Sequence, residues 1–322
     1  MSVQTRVVIE DEADIRLDRW FRRHFPIATQ GVLQKLCRTG QIRVDGARVE
    51  TSTRLAAGQT VRIPPLPEAL PREVKKRLTD EQEATIRAMV IYKDQDVIVL
   101  NKPAGIAVQG GPGIREHIDF LLDGLKYDSK ERPRLVHRID RDTSGILLLA
   151  RTPGVAAKLA GLFRTHNLEK IYWAVVVGRP VPAAGKIDVP LARVGGWGRG
   201  ERSAPSEEGE HGVKAVTQYR TLDAAGKKLS LLELIPVTGR THQLRVHCAA
   251  MGFPILGDPK YGIEYSQMEG LPDCLHLHAR SIEFPHPSGG RMLIEADMPP
   301  HMIETFGMIG LDPAAAARFN RG

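Results

Sequence analysis

The tightest constraint on this chain lies where a densely charged stretch runs into an apolar one. His137-Arg138-Ile139-Asp140-Arg141-Asp142-Thr143-Ser144-Gly145 leads directly into Ile146-Leu147-Leu148-Leu149-Ala150. A short unbroken apolar run reads as a buried strand. The charges ahead of it are then held at the lip of that strand, not scattered over a surface. An acidic residue set among bases in such a place has the perturbed environment typical of a functional site.

Similar strands recur. Val97–Leu100 is apolar throughout, Ile171–Val177 is closed by Gly178, and further strands are expected at Ala215–Arg220, Leu229–Val237, Leu275–Phe284 and Met292–Ala296. Helices are expected from Pro153 to His166, with proline near the first turn, and from about Thr241 onward. Many strands and few helices without strict alternation argue for an α+β fold with a mixed, mostly antiparallel sheet and flanking helices.

The first 64 residues have a different character. Ile15, Leu17, Trp20 and Phe21 recur at helical spacing, and Pro26 ends that helix. A second helix should carry Val32, Leu33 and Leu36 and stop at Gly40. Asp45-Gly46 is a hairpin turn between alternating residues, and Thr60–Ile63 is a strand closed by Pro64-Pro65. Residues 16–62 hold ten Arg or Lys against three acids, an excess equal to the +7 of the whole chain. Clustered arginine is the footprint of a phosphate-backbone partner. Residues 65–90 read as a linker, rich in Pro, Glu, Lys and Arg near its start, and residues 91–322 as a second domain. Residues 195–213, rich in Gly, Ser and Glu, read as a loop.

Composition excludes several classes. No apolar run approaches the roughly 20 residues that span a bilayer. The polar N-terminus lacks the apolar stretch of a secretory signal. Three widely spaced cysteines, Cys37, Cys248 and Cys274, argue against a disulfide framework and for the cytoplasm. Cys274, His276 and His278 alternate on an expected strand, a spacing unlike that of zinc sites, so no metal is expected. Gly110-Gly111-Pro112-Gly113 lacks the Lys-Ser/Thr of a phosphate-binding loop and reads as a turn.

The charged nonamer resembles the His-Arg-Leu-Asp-x-x-Thr-Ser-Gly signature of the RluA/RluC/RluD family of RNA pseudouridine synthases, with Ile139 in the Leu position. Three further blocks agree in order: Leu100–Gly105 with Gln109–Gly113, Glu169-Lys170-Ile171-Tyr172, and Val237–His247 continuing to Gly257-Asp258-Pro259-Lys260-Tyr261-Gly262. Residues 16–64 resemble the alpha-L RNA-binding motif of a ribosomal protein. The resemblance spans nearly the whole chain and leans toward the branch acting on large-subunit ribosomal RNA. It implies a uridine isomerase: the N1–C1′ bond breaks, the uracil turns, and C5 joins C1′. That reaction needs a carboxylate beside the sugar and no cofactor.

The resemblance assigns the carboxylate to Asp140, as nucleophile or as base. Arg138, Arg240 and Arg245 compete to keep it ionised, and the family pattern favours Arg245. Tyr172 matches the aromatic that packs on a flipped base, and Arg138 a position that fills the gap the base leaves. Asp142 falls where the pattern leaves the residue free. His137 is open to two readings, general acid or hydrogen-bonded structural histidine. RNA contacts are expected from Arg138, His137, Thr143, Arg240 and Lys102 near the site, and from Arg19, Arg22, Arg23, Lys35, Arg38 and Arg43 in the first domain. Thr143 and Ser144 are expected to bond the local backbone of the turn. The expected partner is large-subunit ribosomal RNA, bound by a monomer away from any membrane. A non-catalytic ribosome-assembly protein and a synthase acting on transfer RNA are the alternatives.

Overall fold

The structure is a computed structural model and describes residues 3–26, 28–66, 77–111, 113–194, 202–207, 212–262 and 268–312. The chain divides into two compact units, Met1–Arg77 and Leu78–Gly322.

In the first unit, helices Leu17–His24 and Gln30–Arg38 accompany a four-stranded antiparallel sheet ordered Gln4–Val7, Thr60–Ile63, Arg43–Val44, Ala47–Arg48. The expected helices and the Asp45-Gly46 turn are present, with both turn residues at positive φ. The Gln4–Val7 strand was not legible, because all its residues are exposed and no alternation marks it. Trp20 and Phe21 are fully buried with Leu17, Leu33, Ile42 and Val61 around them. Glu12 is buried beneath the first helix and accepts a hydrogen bond from Trp20 Nε1 at 2.7 Å. Burial alone would raise its pKa, but hydrogen bonds from Trp20 and His24 outweigh it and hold the carboxyl below its usual range.

The second unit is built on a ten-stranded sheet. Its main path runs Ala184–Asp188, Val216–Ala225, Leu229–Pro236, Glu169–Val177, Leu277–Pro285, Ser144–Ala150, Val97–Lys102, Val90–Lys93. Arg291–Glu295 and Arg134–Leu135 attach beside it. Among the described residues every ladder of this sheet is antiparallel except that between Ser144–Gly145 and His278–Ala279.

The continuous apolar runs follow from burial on both faces. Ile98, Leu100, Leu147 and Leu149 face one layer, which holds Ile86, Ile118 and Leu121. Val97, Val99, Ile146 and Leu148 face the other, against Val155 and Leu159 of helix Pro153–Thr165. On the neighbouring strands, Ala174, Val176, Leu232 and Leu234 pack on Leu244 and Cys248 of helix Gln243–Ala250. Trp173, Val175 and Leu231 pack on Met302 and Phe306 of helix Pro300–Ile309. No helix among the described residues is long and apolar enough to cross a membrane.

Two expectations need correction. Asp80–Ala88, placed in the linker by its charge, is a helix. Thr79 and Gln82 form a reciprocal capping box at its start, and Ile86 is fully buried. Ser144 does not bond within its turn; its hydroxyl pairs with His278 Nδ1 at 2.9 Å across the parallel ladder. Within 65–90, residues 67–76 lie outside the described residues, as do 195–201 and 208–211 of the expected loop and Pro112 of the glycine-rich turn.

The parallel contact explains the last glycine of the nonamer. Gly145 has φ +103°, and a Cβ there would sit 2.3 Å from the Ala279 carbonyl oxygen. Gly145→Ala is therefore expected to destabilise the fold by more than about 2 kcal/mol in denaturant titration. Five histidines of this unit are depressed by burial from an ordinary 6.5: His276 and His278 to about 4, His137 to about 3, and His247 and His301 in the same direction. The unfolded chain then binds more protons than the folded one between those values. Stability is fully present above pH 6.5 and is lost as pH falls toward 4. The thermal midpoint should drop measurably between pH 7.5 and pH 5.

Candidate active site

Asp140 stands four residues ahead of the Ser144–Ala150 strand, with its side chain 19% exposed. It lines a cavity of about 540 Å³ together with Arg138, Thr143, Tyr172, Arg240, His242 and Arg245, among others. The Asp140 and Tyr172 segments sit on either side of Leu277–Pro285, which pairs with both Ser144–Ala150 and Glu169–Val177. Helix Gln243–Ala250 supplies Arg245 from its first turn.

Arg245 is 1% exposed and organises the site. Its Nε and one terminal nitrogen donate to the two oxygens of Asp258 at 2.8 and 2.6 Å, a bidentate fork. The remaining terminal nitrogen lies 3.8 Å from Asp140 Oδ2, an ion pair without a hydrogen bond. The arginine expected to clamp Asp140 is thus clamped first by a second carboxylate. Asp258 is itself 0% exposed, and its Oδ1 also accepts from the amides of Lys260 (2.8 Å) and Tyr261 (3.2 Å).

A second connection reaches Asp140 through His242, whose Nε2 is 4.0 Å from Asp140 Oδ1. His242 Nδ1 is 2.7 Å from the Tyr261 hydroxyl, which accepts from the Ser203 amide at 3.0 Å. In the tautomer whose Nδ1 accepts the hydroxyl proton, the protonated nitrogen is Nε2, the one nearest Asp140.

These partners set the electrostatics. Burial pushes the Asp140 carboxyl up; Arg245, Arg138 and Lys260 pull it back, and the net displacement is above the usual carboxylate value. For Arg245, burial opposes the charge, but the Asp258 fork and the Asp140 charge outweigh it and keep the guanidinium protonated. Burial and the neighbouring Asp140 both push the Tyr172 phenol far up, so it stays neutral.

The other residues singled out from sequence divide clearly. Arg138, Thr143 and Arg240 line the cavity. Arg240 Nε donates to the Lys214 carbonyl at 3.1 Å. His137 also lines it, but its Nε2 accepts from the Leu148 amide at 2.8 Å and its ring stacks on Phe163 at 4.4 Å. With its pKa depressed to about 3, His137 is a neutral brace holding the nonamer to its strand, not a proton donor. In the first unit Arg19, Arg22, Arg23, Lys35 and Arg38 are exposed. Arg43 is half-buried and donates to the carbonyls of Gly40 and Gly46.

Lys102 requires a correction. It was expected to meet RNA, yet it is 0% exposed. Its Nζ donates to the carbonyls of Pro103 (2.8 Å), Ile106 (2.9 Å) and Arg141 (2.9 Å). Burial pulls the ammonium down to about 7, against Asp142 and Asp140, which raise it. Three acceptors need three N–H donors, which only the protonated form has. Lys102 therefore ties the residue after Asp140 to the Pro103–Ile106 loop. Lys102→Met should lower unfolding stability by about 3 kcal/mol or more, because buried carbonyls lose their donor. The salt dependence of RNA binding should stay unchanged.

Asp258, His242, Tyr261 and Lys170 were not singled out for roles. The available signal was the Gly257–Gly262 block itself: a helix-borne arginine facing a core needs a carboxylate, and Asp258 follows a glycine of positive φ. Among the described residues no group of His, Cys, Asp and Glu is placed to hold a metal.

Comparison with known proteins bears on this site. Residues 96–250 match the family of RNA pseudouridylate synthases. The chain is 34% identical over 303 residues to "Ribosomal large subunit pseudouridine synthase C" of Vibrio parahaemolyticus, covering 92% of this chain and 93% of that one. It is 39% identical over 283 residues to "RNA pseudouridine synthase 4, mitochondrial" of Arabidopsis thaliana, covering 76% of this chain and 59% of the longer relative. Among solved structures, human RNA pseudouridylate synthase domain containing 4 superposes with a TM-score of 0.61 at 28% identity, covering 72% of this chain and 98% of that one.

Proposed function

The chain belongs to the RNA pseudouridylate synthase family, and we propose that this enzyme isomerises specific uridines of large-subunit ribosomal RNA through the carboxylate of Asp140. The observation that carries the assignment of Asp140 is its position in the cavity, 3.8 Å from Arg245 and with Tyr172 among the other lining residues.

Uridine in folded RNA is stacked and must be extruded, at a cost of a few kcal/mol. Tyr172 offers the extruded base a neutral face, worth about 1–3 kcal/mol. Arg138, exposed at the rim, is placed to occupy the space the base vacates. Asp140 then acts at the sugar, either attacking C1′ or removing a sugar proton. Both routes begin from the ionised carboxylate, which Arg245 favours. The N1–C1′ bond breaks with its electron pair on the uracil, the ring turns, C5 bonds to C1′, and the C5 proton passes to solvent. N1 ends protonated, so no electrons are gained or lost.

The first unit serves as an alpha-L RNA-binding domain in this reading. Its helices present Arg19, Arg22, Arg23, Lys35 and Arg38 to solvent, where they can neutralise backbone phosphates. The large-subunit assignment follows the relatives named for that substrate.

The test is incubation with unmodified large-subunit ribosomal RNA tritiated at uracil C5. Wild-type protein should release tritium to water, and Asp140→Asn should release none while binding the RNA as tightly. Turnover by Asp140→Asn would remove the assignment. Tight binding without release by the wild type, on that RNA and on partly assembled subunits, would return the protein to an assembly role. Arg245→Met should lower turnover at least 100-fold, since it strips the ionised carboxylate of the buried cation 3.8 Å from it.

A further inference from the structure

Beside the catalytic cavity lies a second one of about 320 Å³, and His166, Lys170 and Pro236 line both. Lys170 is half-buried at this divide. Among the described residues its ammonium has no hydrogen-bond or ion-pair partner. By contrast Lys126 and Lys186 lie within 2.7 and 2.6 Å of an aspartate. Burial lowers its pKa, and no carboxylate acts to raise it again. A partly desolvated cation with no counter-charge is costly unless an anion completes it.

The surroundings specify that anion. Arg164 and His166, at the end of helix Pro153–Thr165, line the catalytic cavity on the same side. Among the described residues neither has a carboxylate partner. The helix terminus itself favours basic residues there, so the argument rests on Lys170, which is on a strand. The second cavity is balanced: Glu169 lines it, and its Arg291 is held by Glu283 at 2.6 Å. The unmet positive charge is therefore at the divide. Lys170 and Tyr172 lie two residues apart on one strand and point to the same side, into the catalytic cavity. Two residues of strand span about 6.7 Å, comparable to the spacing of one nucleotide along an extended backbone.

We propose that Lys170, supported by Arg164 and His166, binds the phosphodiester joining the flipped uridine to its neighbour, and that the second cavity receives that neighbouring nucleotide. The inference rests on the reading above, in which the first cavity receives a uridine of RNA. Lys170 is then a binding residue that sets the register of the strand: with the phosphate on Lys170, the base falls on Tyr172 and C1′ beside Asp140.

The experiment uses full-length protein and unmodified large-subunit ribosomal RNA transcript in two arms. In the first, binding is measured against salt in the Asp140→Asn background. Lys170→Gln should reduce the slope of log affinity on log salt by about 0.7, the share of one phosphate on a single strand. In the second, tritium release is measured with Asp140 intact. Lys170→Gln should raise KM roughly tenfold and lower kcat by less, and Lys170→Arg should restore KM. An unchanged slope, or a raised KM that arginine does not restore, overturns the proposal. If Lys170→Gln does not fold by thermal unfolding, the exposed pair Arg164→Gln and His166→Asn carries the salt arm, with a smaller slope expected and an unchanged one contrary. If the wild type releases no tritium, the reaction assignment fails, and the salt arm still decides the phosphate contact.

Discussion

The buried guanidinium of Arg245 is the interaction on which the site depends. It donates a fork of two hydrogen bonds to Asp258 and leaves one nitrogen facing Asp140. A cation this deep would be prohibitive alone, and a cation with one carboxylate would give Asp140 nothing extra. With two carboxylates around it, the charge of Arg245 is fixed by Asp258 and still felt by Asp140. The 3.8 Å gap suits the reacting role proposed for Asp140. A carboxylate locked in a short fork would be stabilised in the ground state, whereas one held at ion-pair distance would keep its lone pairs for a substrate.

The fold brings this constellation together from distant segments. Asp140 precedes one strand, Tyr172 lies on another, Arg245 is on a helix and Asp258 follows the Ile255-Leu256-Gly257 turn. The strands are gripped from both faces by helices and apolar layers, which fixes their ends. Lys102 and His137 hold the nonamer itself, one through the Arg141 carbonyl and the other through the Leu148 amide. Both are polar groups whose bonds are satisfied internally, so they act as braces instead of reaching for substrate.

How much of this was legible follows from the range of each interaction. The double-faced strands were visible because burial on both sides leaves a local trace in Val97–Leu100 and Ile146–Ala150. The first unit was visible through helix spacing and the Asp45-Gly46 turn. The Asp80–Ala88 helix lies in a stretch whose charge resembles a linker, and its local signal is the capping box of Thr79 and Gln82. Asp140, Tyr172 and Arg245 stood out through motif resemblance. Their geometry did not, because the Arg245–Asp258 fork joins residues 13 apart in sequence through a folded turn. Lys102 was misread for a related reason: a lysine beside a motif looks like an RNA contact until its three carbonyl partners are seen.

The account is tested most directly by the titration of the Asp140 carboxyl, followed by carbon-13 NMR in aspartate-labelled protein and identified by its loss in Asp140→Asn. The predicted result is a midpoint above the ordinary 3.8 that rises further in Arg245→Lys, whose single ammonium cannot serve both Asp258 and Asp140. A midpoint at or below 3.8, or one indifferent to Arg245→Lys, would contradict the claim that this arginine, anchored by Asp258, governs the charge of Asp140.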